Sequence, residues 1–236
     1  KNFQDLDIQR KFIEASTKEI KSHFDQQSRM RDDGKSYNAK IGFDYFVTKK
    51  TTIGAVFTGY YNPGTFGNKS DILISDENKV LQSRTLAATN NDKKWKNFSS
   101  NFNFRHVFDS TGKELTADLD YVNYNSGVAQ DLVNAYYNAS NMPTFKADTL
   151  LGNLPQDINI YSAKMDYLHP LKKGAKFEAG VKTSYVKTDN NAIYDSVNYG
   201  VKVRDIGRSN HFIYDEKINA AYVNYSRPIT KKLFAQ

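Results

Sequence analysis

The sequence predicts an all-β chain, an antiparallel up-and-down meander that forms part of a large transmembrane β-barrel. Three observations predict it: apolar and polar residues alternate in segment after segment, short turns recur at an even spacing, and long polar connections separate the resulting hairpins. Alternation fixes the element type, because successive side chains of a strand point to opposite faces. The spacing of the turns fixes the arrangement.

Composition agrees. Of 236 residues 39% are hydrophobic, and the mean hydropathy of -0.68 excludes a bundle of membrane helices, each of which needs about 20 nearly continuous apolar residues. Tyr (16) and Phe (15) are abundant while Trp (1) and Met (3) are scarce, a usage suited to strands. With no Cys there is neither a disulfide framework nor a thiolate nucleophile or metal ligand. The net charge of +7 is spread over lysines in turns rather than gathered in one stripe, so nucleic acid is not an expected partner.

The elements follow in order. Ile20, Ser22, Phe24 and Gln26 make a weak first strand. Tyr37, Ala39, Ile41, Phe43, Tyr45 and Val47 then share a face, and after Thr48-Lys49-Lys50-Thr51 the chain returns with Ile53, Ala55, Phe57, Gly59 and Tyr61. A second hairpin sets Phe98, Ser100, Phe102, Phe104, His106 and Phe108 against Leu115, Ala117, Leu119 and Tyr121, turning at Asp109 to Glu114. A third runs from Tyr161, Ala163, Met165 and Tyr167 through Pro170 to Gly174 into Phe177, Ala179, Val181, Thr183 and Tyr185. Ala221, Val223 and Tyr225 form a further strand, leading through Arg227 to Lys232 into an incomplete one. That makes about eight strands and part of a ninth. Residues 1–236 read as a single barrel segment. Lys1 to Arg10 is polar and carries no secretory signal, and Leu233 to Gln236 stops inside a beginning strand, so both ends read as cuts.

The turns at Lys49-Lys50, Gly112-Lys113, Lys172-Lys173 and Lys231-Lys232 recur roughly every 60 residues. The alternate connections, Asn62 to Lys93, Asn125 to Asp157 and Thr188 to Asn210, are expected as long polar loops. Short turns at one end and long loops at the other are the pattern of a transmembrane barrel. In hydrocarbon every backbone amide must be paired, so apolar residues face outward while polar ones turn to a lumen. Lys40, Asp44, Arg105, Asp118, Asp120, Asp166, Glu178 and Lys182 are the expected luminal residues, and Tyr45, Tyr167 and Tyr225 an interfacial girdle. A soluble β-sandwich also alternates, but seldom combines such unequal loops.

Chemistry is sparse. His23, His106, His169 and His211 lack the paired spacing of a metal site, and Thr111-Gly112-Lys113-Glu114 lacks the upstream glycine and the helix of a phosphate loop. Asp118 and Asp120 share a face and could hold a cation or act as a carboxylate pair, yet luminal charges are ordinary in large barrels. No catalytic set, cofactor site or metal site is expected. Tyr60, Tyr61, Tyr136 and Tyr137, near the outer strand ends, are candidate ligand contacts that could stack on sugar rings, with interface anchoring as the alternative role.

Three segments carry a resemblance: Ile41-Gly42-Phe43-Asp44-Tyr45-Phe46-Val47-Thr48-Lys49-Lys50-Thr51-Thr52-Ile53-Gly54, Glu114-Leu115-Thr116-Ala117-Asp118-Leu119-Asp120-Tyr121, and Ile218-Asn219-Ala220-Ala221-Tyr222-Val223-Asn224-Tyr225-Ser226. They resemble the outer-membrane β-barrel family of Bacteroidetes, related to the TonB-dependent receptors. The resemblance implies a bacterial outer-membrane location, contact with outer-membrane lipid, a barrel of about 22 strands, a plug domain within it, and coupling to the TonB complex. It implies uptake of a large nutrient such as a metal chelate, glycan or peptide, with no enzymatic activity. Alternatives are a barrel used for surface interaction or adhesion, a soluble β-sandwich binding module, and a membrane-embedded enzyme.

Overall fold

A strand that alternates must satisfy its backbone against another strand, and here nearly every strand takes its neighbour in sequence as its neighbour in space. The computed structural model describes residues 1–198, 200–230 and 233–236. They form one open antiparallel sheet of eleven strands. These are β1 (Asn2–Ile13), β2 (Ile20–Gly34), β3 (Tyr37–Thr48), β4 (Thr51–Asp76), β5 (Leu81–Val107), β6 (Glu114–Asn138), β7 (Asp148–Pro170), β8 (Lys176–Asn198), β9 (Val201–Arg204), β10 (Asn210–Pro228) and β11 (Phe234–Ala235). The order is β1-β2-β4-β5-β6-β7-β8-β10-β11, with β3 on β4 and β9 on β8. The expected all-β meander is what forms.

Two pairs of elements are single strands in two parts. β2 pairs with the outer half of β4 and β3 with its inner half, from Ser22 opposite Asp76 to Phe46 opposite Thr52, without a change of register. The weak strand expected at Ile20 is therefore the outward continuation of β3 and not a crossing of its own. Likewise β9 pairs with the outer end of β8 and β10 with the rest, and residues 205–209 bulge between them. Seven strands carry the alternating apolar band, β3 to β8 and β10, and β11 begins an eighth.

The short turns form where expected. Lys173 (φ 60°) and Gly174 (φ 75°) reverse the chain in a 3-10 turn between β7 and β8. Gly112 (φ 88°) does so between β5 and β6, where Asp109 accepts the Thr111 N–H at 2.9 Å. In the turn after β10 the backbone N–H of Ile229 donates to the Leu233 carbonyl at 2.9 Å. Lys231-Lys232 of that turn lie outside the described residues.

The long connections are not loops. Most of Asn62 to Lys93, Asn125 to Asp157 and Thr188 to Asn210 is strand, and the true outer turns are short, at residues 77–80 and 139–147. Each opens on a side chain that caps it. Asp76 Oδ1 accepts from the N–H groups of Asn78 (3.0 Å) and Val80 (2.8 Å), and Asn138 Oδ1 from those of Ser140 (3.0 Å) and Met142 (2.9 Å). With 27 residues, β5 is about 90 Å long at about 3.3 Å per residue, whereas roughly ten residues cross a bilayer. The outer halves carry like residues on both faces, polar at Asn90 to Lys94 and apolar at Ile72 to Ile74, so no steady alternation marks them as strands.

One transverse row departs from regular pairing. Pro63, Lys94, Gly127 and Pro155 lie opposite one another on β4 to β7. Proline has no N–H to give. On the β2/β3 side of Pro63 the gap between Gly34 and Tyr37 is bridged by one backbone bond among the described residues, Lys35 N to Pro63 O (3.0 Å), and by the Ser36 side chain on Tyr60. On the β8 side of Pro155 pairing stops at Asn153 and resumes at Gln156.

Among the described residues the only buried apolar side chains are Ala55 and Ala175, while five polar residues are buried (Ser28, Ser70, Ser100, Asp195 and Ser226). The apolar face is the open one. On β5, Phe98 is 46% and Phe102 50% exposed, while Asn97, Ser99, Asn101 and Asn103 of the other face are half-buried. A water-soluble sheet would have these reversed.

Candidate functional site

Residues opposite one another in an antiparallel pair share a face, so the ladder can be followed across the sheet row by row. One row runs Asp44, Gly54, Asn103, Asp118, Lys164, Lys182 and Ala220; the next toward the turns runs Phe46, Thr52, Arg105, Thr116, Asp166, Gly180 and Tyr222. Asp120 lies in the row of Val56, Asn101 and Ser162, Lys40 opposite Thr58, and Glu178 between Leu168 and Asn224. All eight residues expected on the luminal face therefore occupy one face, the more covered of the two.

That face is hydrogen-bonded across strands. Asn101 Nδ2 donates to Asp120 (2.7 Å) and Asp118 (3.4 Å), and Asn103 Nδ2 to Asn101 Oδ1 (3.2 Å). Arg105 meets Glu114 at 2.7 Å and Lys164 meets Asp166 at 2.6 Å. The Tyr222 hydroxyl donates to the other Asp166 oxygen at 2.7 Å, and Asn224 Nδ2 to Glu178 at 3.1 Å. Asp166 is on β7 and Tyr222 on β10, so the bond spans the strand between them. Gly180 of β8 makes this possible, because a Cβ there would overlap Asp166 Oδ1 and Tyr222 Cε1. Gly54 gives the same clearance to Asp44 and Asn103. The four cations Lys40, Arg105, Lys164 and Lys182 face six carboxylates: Asp44, Asp118, Asp120, Asp166, Glu114 and Glu178.

Farther out the same face loses its ionised groups. Asn38, Tyr60, Asn97, Tyr124, Ile158, Thr188 and Tyr214 form one row, and Asn62, Trp95, Ser126, Gln156, Asn190 and Phe212 the next row outward on that face. Trp95 and Tyr124 lie with ring centroids 6.1 Å apart, and Phe212 and Tyr214 stack at 6.3 Å.

The opposite face carries an apolar band between two aromatic rows. At the turn end Phe104, His106, Phe108 and Tyr167 touch in series at 6.4, 4.7 and 6.3 Å, with Tyr45 and Tyr225 exposed at the same end. At the outer end Phe98, Tyr121, Tyr161 and Tyr185 follow one another at 6.4, 5.0 and 6.3 Å, and Lys217 Nζ sits 5.7 Å over Tyr185. Six to eight residues separate the rows along a strand, about 20 to 26 Å. Sequence reading found the inner row and missed the outer one, whose members come from two hairpins and meet only through the register.

The other candidates disperse. Tyr60 and Tyr61, being adjacent, point to opposite faces, Tyr60 with the polar rows and Tyr61 beside Tyr37 (6.3 Å). Tyr136 and Tyr137 divide in the same way near the end of β6. His106 bonds Thr51 (2.8 Å), His169 meets Tyr167 (3.2 Å) and His211 meets Asp189 (2.8 Å), all on different strands. Among the described residues no three His, Asp or Glu side chains are placed to hold a metal ion. The Thr111-Gly112-Lys113-Glu114 segment is the β5–β6 turn. Trp95, Tyr124, Tyr222 and the clearance at Gly180 went unnoticed in the sequence. In the outer half Asp195, nearly buried, is ion-paired with Arg204 (2.6 Å) and Lys202 (3.0 Å), whose hydrogen bonds hold its carboxyl below the usual range.

A family model described as outer membrane protein beta-barrel family matches residues 106–236. No curated protein and no solved structure matches the chain.

Proposed function

The chain belongs to the outer membrane protein β-barrel family of the bacterial outer membrane, and on that footing we propose that it is part of the wall of a barrel that admits a large nutrient, in the manner of the TonB-dependent receptors of Bacteroidetes. The observation that carries the reading is the division of the sheet: a hydrogen-bonded face of paired charges lies opposite an exposed apolar band about 20 to 26 Å deep. In this reading the band meets lipid, and the charged face lines a lumen that a plug domain and the remaining strands complete. The chain takes no chemical step itself, and the TonB complex supplies the energy.

The test is permeation by the complete protein in lipid vesicles. With the plug removed the barrel should conduct ions, and replacing Asp118 and Asp120 together by Lys should shift its selectivity toward anions, whereas Leu119→Ser on the opposite face should not. Conductance without a selectivity change would place these carboxylates away from the pathway. A second reading has an observation of its own: strands of 23 to 27 residues stand well beyond the bilayer, as a barrel built for surface attachment would. Loss of adhesion with uptake intact on shortening the outer hairpins would favour it.

A further inference from the structure

We propose that the uncharged outer rows of the polar face form a binding platform for a neutral oligosaccharide, with Trp95 and Tyr124 as its stacking surface and Tyr60 beside them. This rests on the uptake reading, since it supplies the ligand class that reading leaves open.

The argument starts from position. Tyr124 and Ser126 lie three and five residues beyond Tyr121 of the outer aromatic row, roughly 10 to 17 Å farther along the strand, so the platform stands at the mouth rather than within the bilayer. Tyr60, Trp95 and Tyr124 come from three consecutive strands, spaced about 4.8 Å apart, which presents three rings over about the length of two pyranose units. Trp95 is the chain's single tryptophan and is 42% exposed, although an indole is among the most favourable groups to cover. Its ring centroid is 6.1 Å from that of Tyr124, with the planes tilted by 58°, so the two rings offer a bent surface instead of stacking on each other.

The polar groups match. Asn62 Nδ2 bonds the Tyr60 hydroxyl at 2.9 Å, and Ser126 Oγ bonds Gln156 at 3.3 Å, which leaves the Asn62 amide oxygen and the Gln156 amide nitrogen to meet hydroxyl groups. The two rows hold no carboxylate, amine or guanidinium. Their nearest ionised neighbours on this face are Lys40 and Glu216 on one side and Lys93 on the other, and Lys93 is engaged by Asp32 at 3.1 Å. A charged ligand held here would lose water without gaining a counter-charge. A sugar ring instead offers an apolar C–H face to the aromatic π-system and hydroxyls to the amides. In the charged rows deeper on this face the Tyr222 hydroxyl is bonded to Asp166, and no pair of rings there lies beside uncharged amides as Trp95 and Tyr124 do.

The experiment uses the complete protein in detergent micelles, titrated with maltohexaose, cellohexaose and mannohexaose, and with trigalacturonate and a ferric tris-catecholate as charged probes. Binding is read by calorimetry and by the tryptophan fluorescence change that is lost in Trp95→Phe. A neutral hexaose should bind, with Kd raised about tenfold in Trp95→Ala and in Tyr124→Ala and by about twofold or less in Trp95→Phe. The heat-modified mobility of each variant checks that the barrel has formed, and Trp95→Phe keeps a ring in place should Trp95→Ala misassemble. The proposal is overturned if no neutral hexaose binds, if only the charged probes bind, or if a folded Trp95→Ala binds as the wild type does. Permeation is measured separately: sugar bound but never passed would refute uptake and leave the platform standing, and permeation without neutral-sugar binding would do the opposite.

Discussion

Replacing Gly180 with Ala tests the cross-strand bridge directly, and the size of the result depends on Tyr222, opposite it on the next strand. A Cβ at Gly180 would overlap both Asp166 Oδ1 and Tyr222 Cε1, so the Tyr222 ring must lift and its 2.7 Å bond to Asp166 is lost. A hydrogen bond to an ionised group contributes about 1.5 to 3 kcal/mol. Against this, Ala in a strand gains about 0.5 to 1 kcal/mol over Gly by restricting the unfolded chain. The net cost should be about 1 to 2 kcal/mol. With Tyr222 already changed to Ala the ring and the bond are gone, only the Asp166 carboxylate still has to turn aside, and Gly180→Ala should be near neutral, its gain of about 0.5 to 1 kcal/mol offset by that rotation. The assay is denaturant titration of the complete barrel in lipid vesicles for the four members of the double-mutant cycle, with unchanged m-values as the control. An equal loss in both backgrounds would show that the alanine disturbs the strand itself and would refute the bridge.

Three further outcomes follow from the same faces and turns. Val181→Arg, four residues from each of the aromatic rows at Phe177 and Tyr185, should cost about 2 to 4 kcal/mol in vesicles, and Ser184→Arg on the polar face less than about 1 kcal/mol; equal costs would mean that both faces see the same surroundings. A cysteine at Asn78 should react with an impermeant maleimide on intact cells, and one at Lys172 only after the outer membrane is broken; the reverse pattern would invert the barrel. Because Asp195 has its carboxyl depressed by Arg204 and Lys202, its contribution is fully present above the unfolded value of about 3.9 and is lost as pH falls through the lower folded value. Hydrogen exchange in Val201–Arg204 should therefore stay slow from neutral pH to about 4 and quicken below it, while Asp195→Asn should be fast throughout; exchange insensitive to both would detach β9 from this ion pair.

The inner half of each strand was legible because lipid and water enforce opposite residue classes on its two faces. Phe102 between Asn101 and Asn103, or Val181 beside Lys182, states its face without any structure. The outer half was not, since Asn90-Asn91-Asp92-Lys93-Lys94 is polar in both directions and reads as a loop until a partner strand is seen. The charged part of the candidate site could likewise be read from parity alone. Trp95 with Tyr124, and Tyr222 with Asp166, could not, because each pair meets only through a register set by turns tens of residues away. Glycine at 180 carries no pattern of its own and acquires meaning only from the ring laid across it.

The row of Pro63, Lys94, Gly127 and Pro155 has a mechanical consequence. It crosses four adjacent strands at the level where the apolar band has ended, and two of its four residues have no amide proton to tie them to the next strand. A sheet bends where its ladder is thinnest, so the row is a crease, dividing a stiff embedded wall from a freestanding panel. Forces on the panel, from a large solute pressing in or from neighbours in a crowded membrane, would be taken up as rotation about that line. The embedded wall, and the charge pairs fixed within it, would keep their dimensions while the rim above them moves.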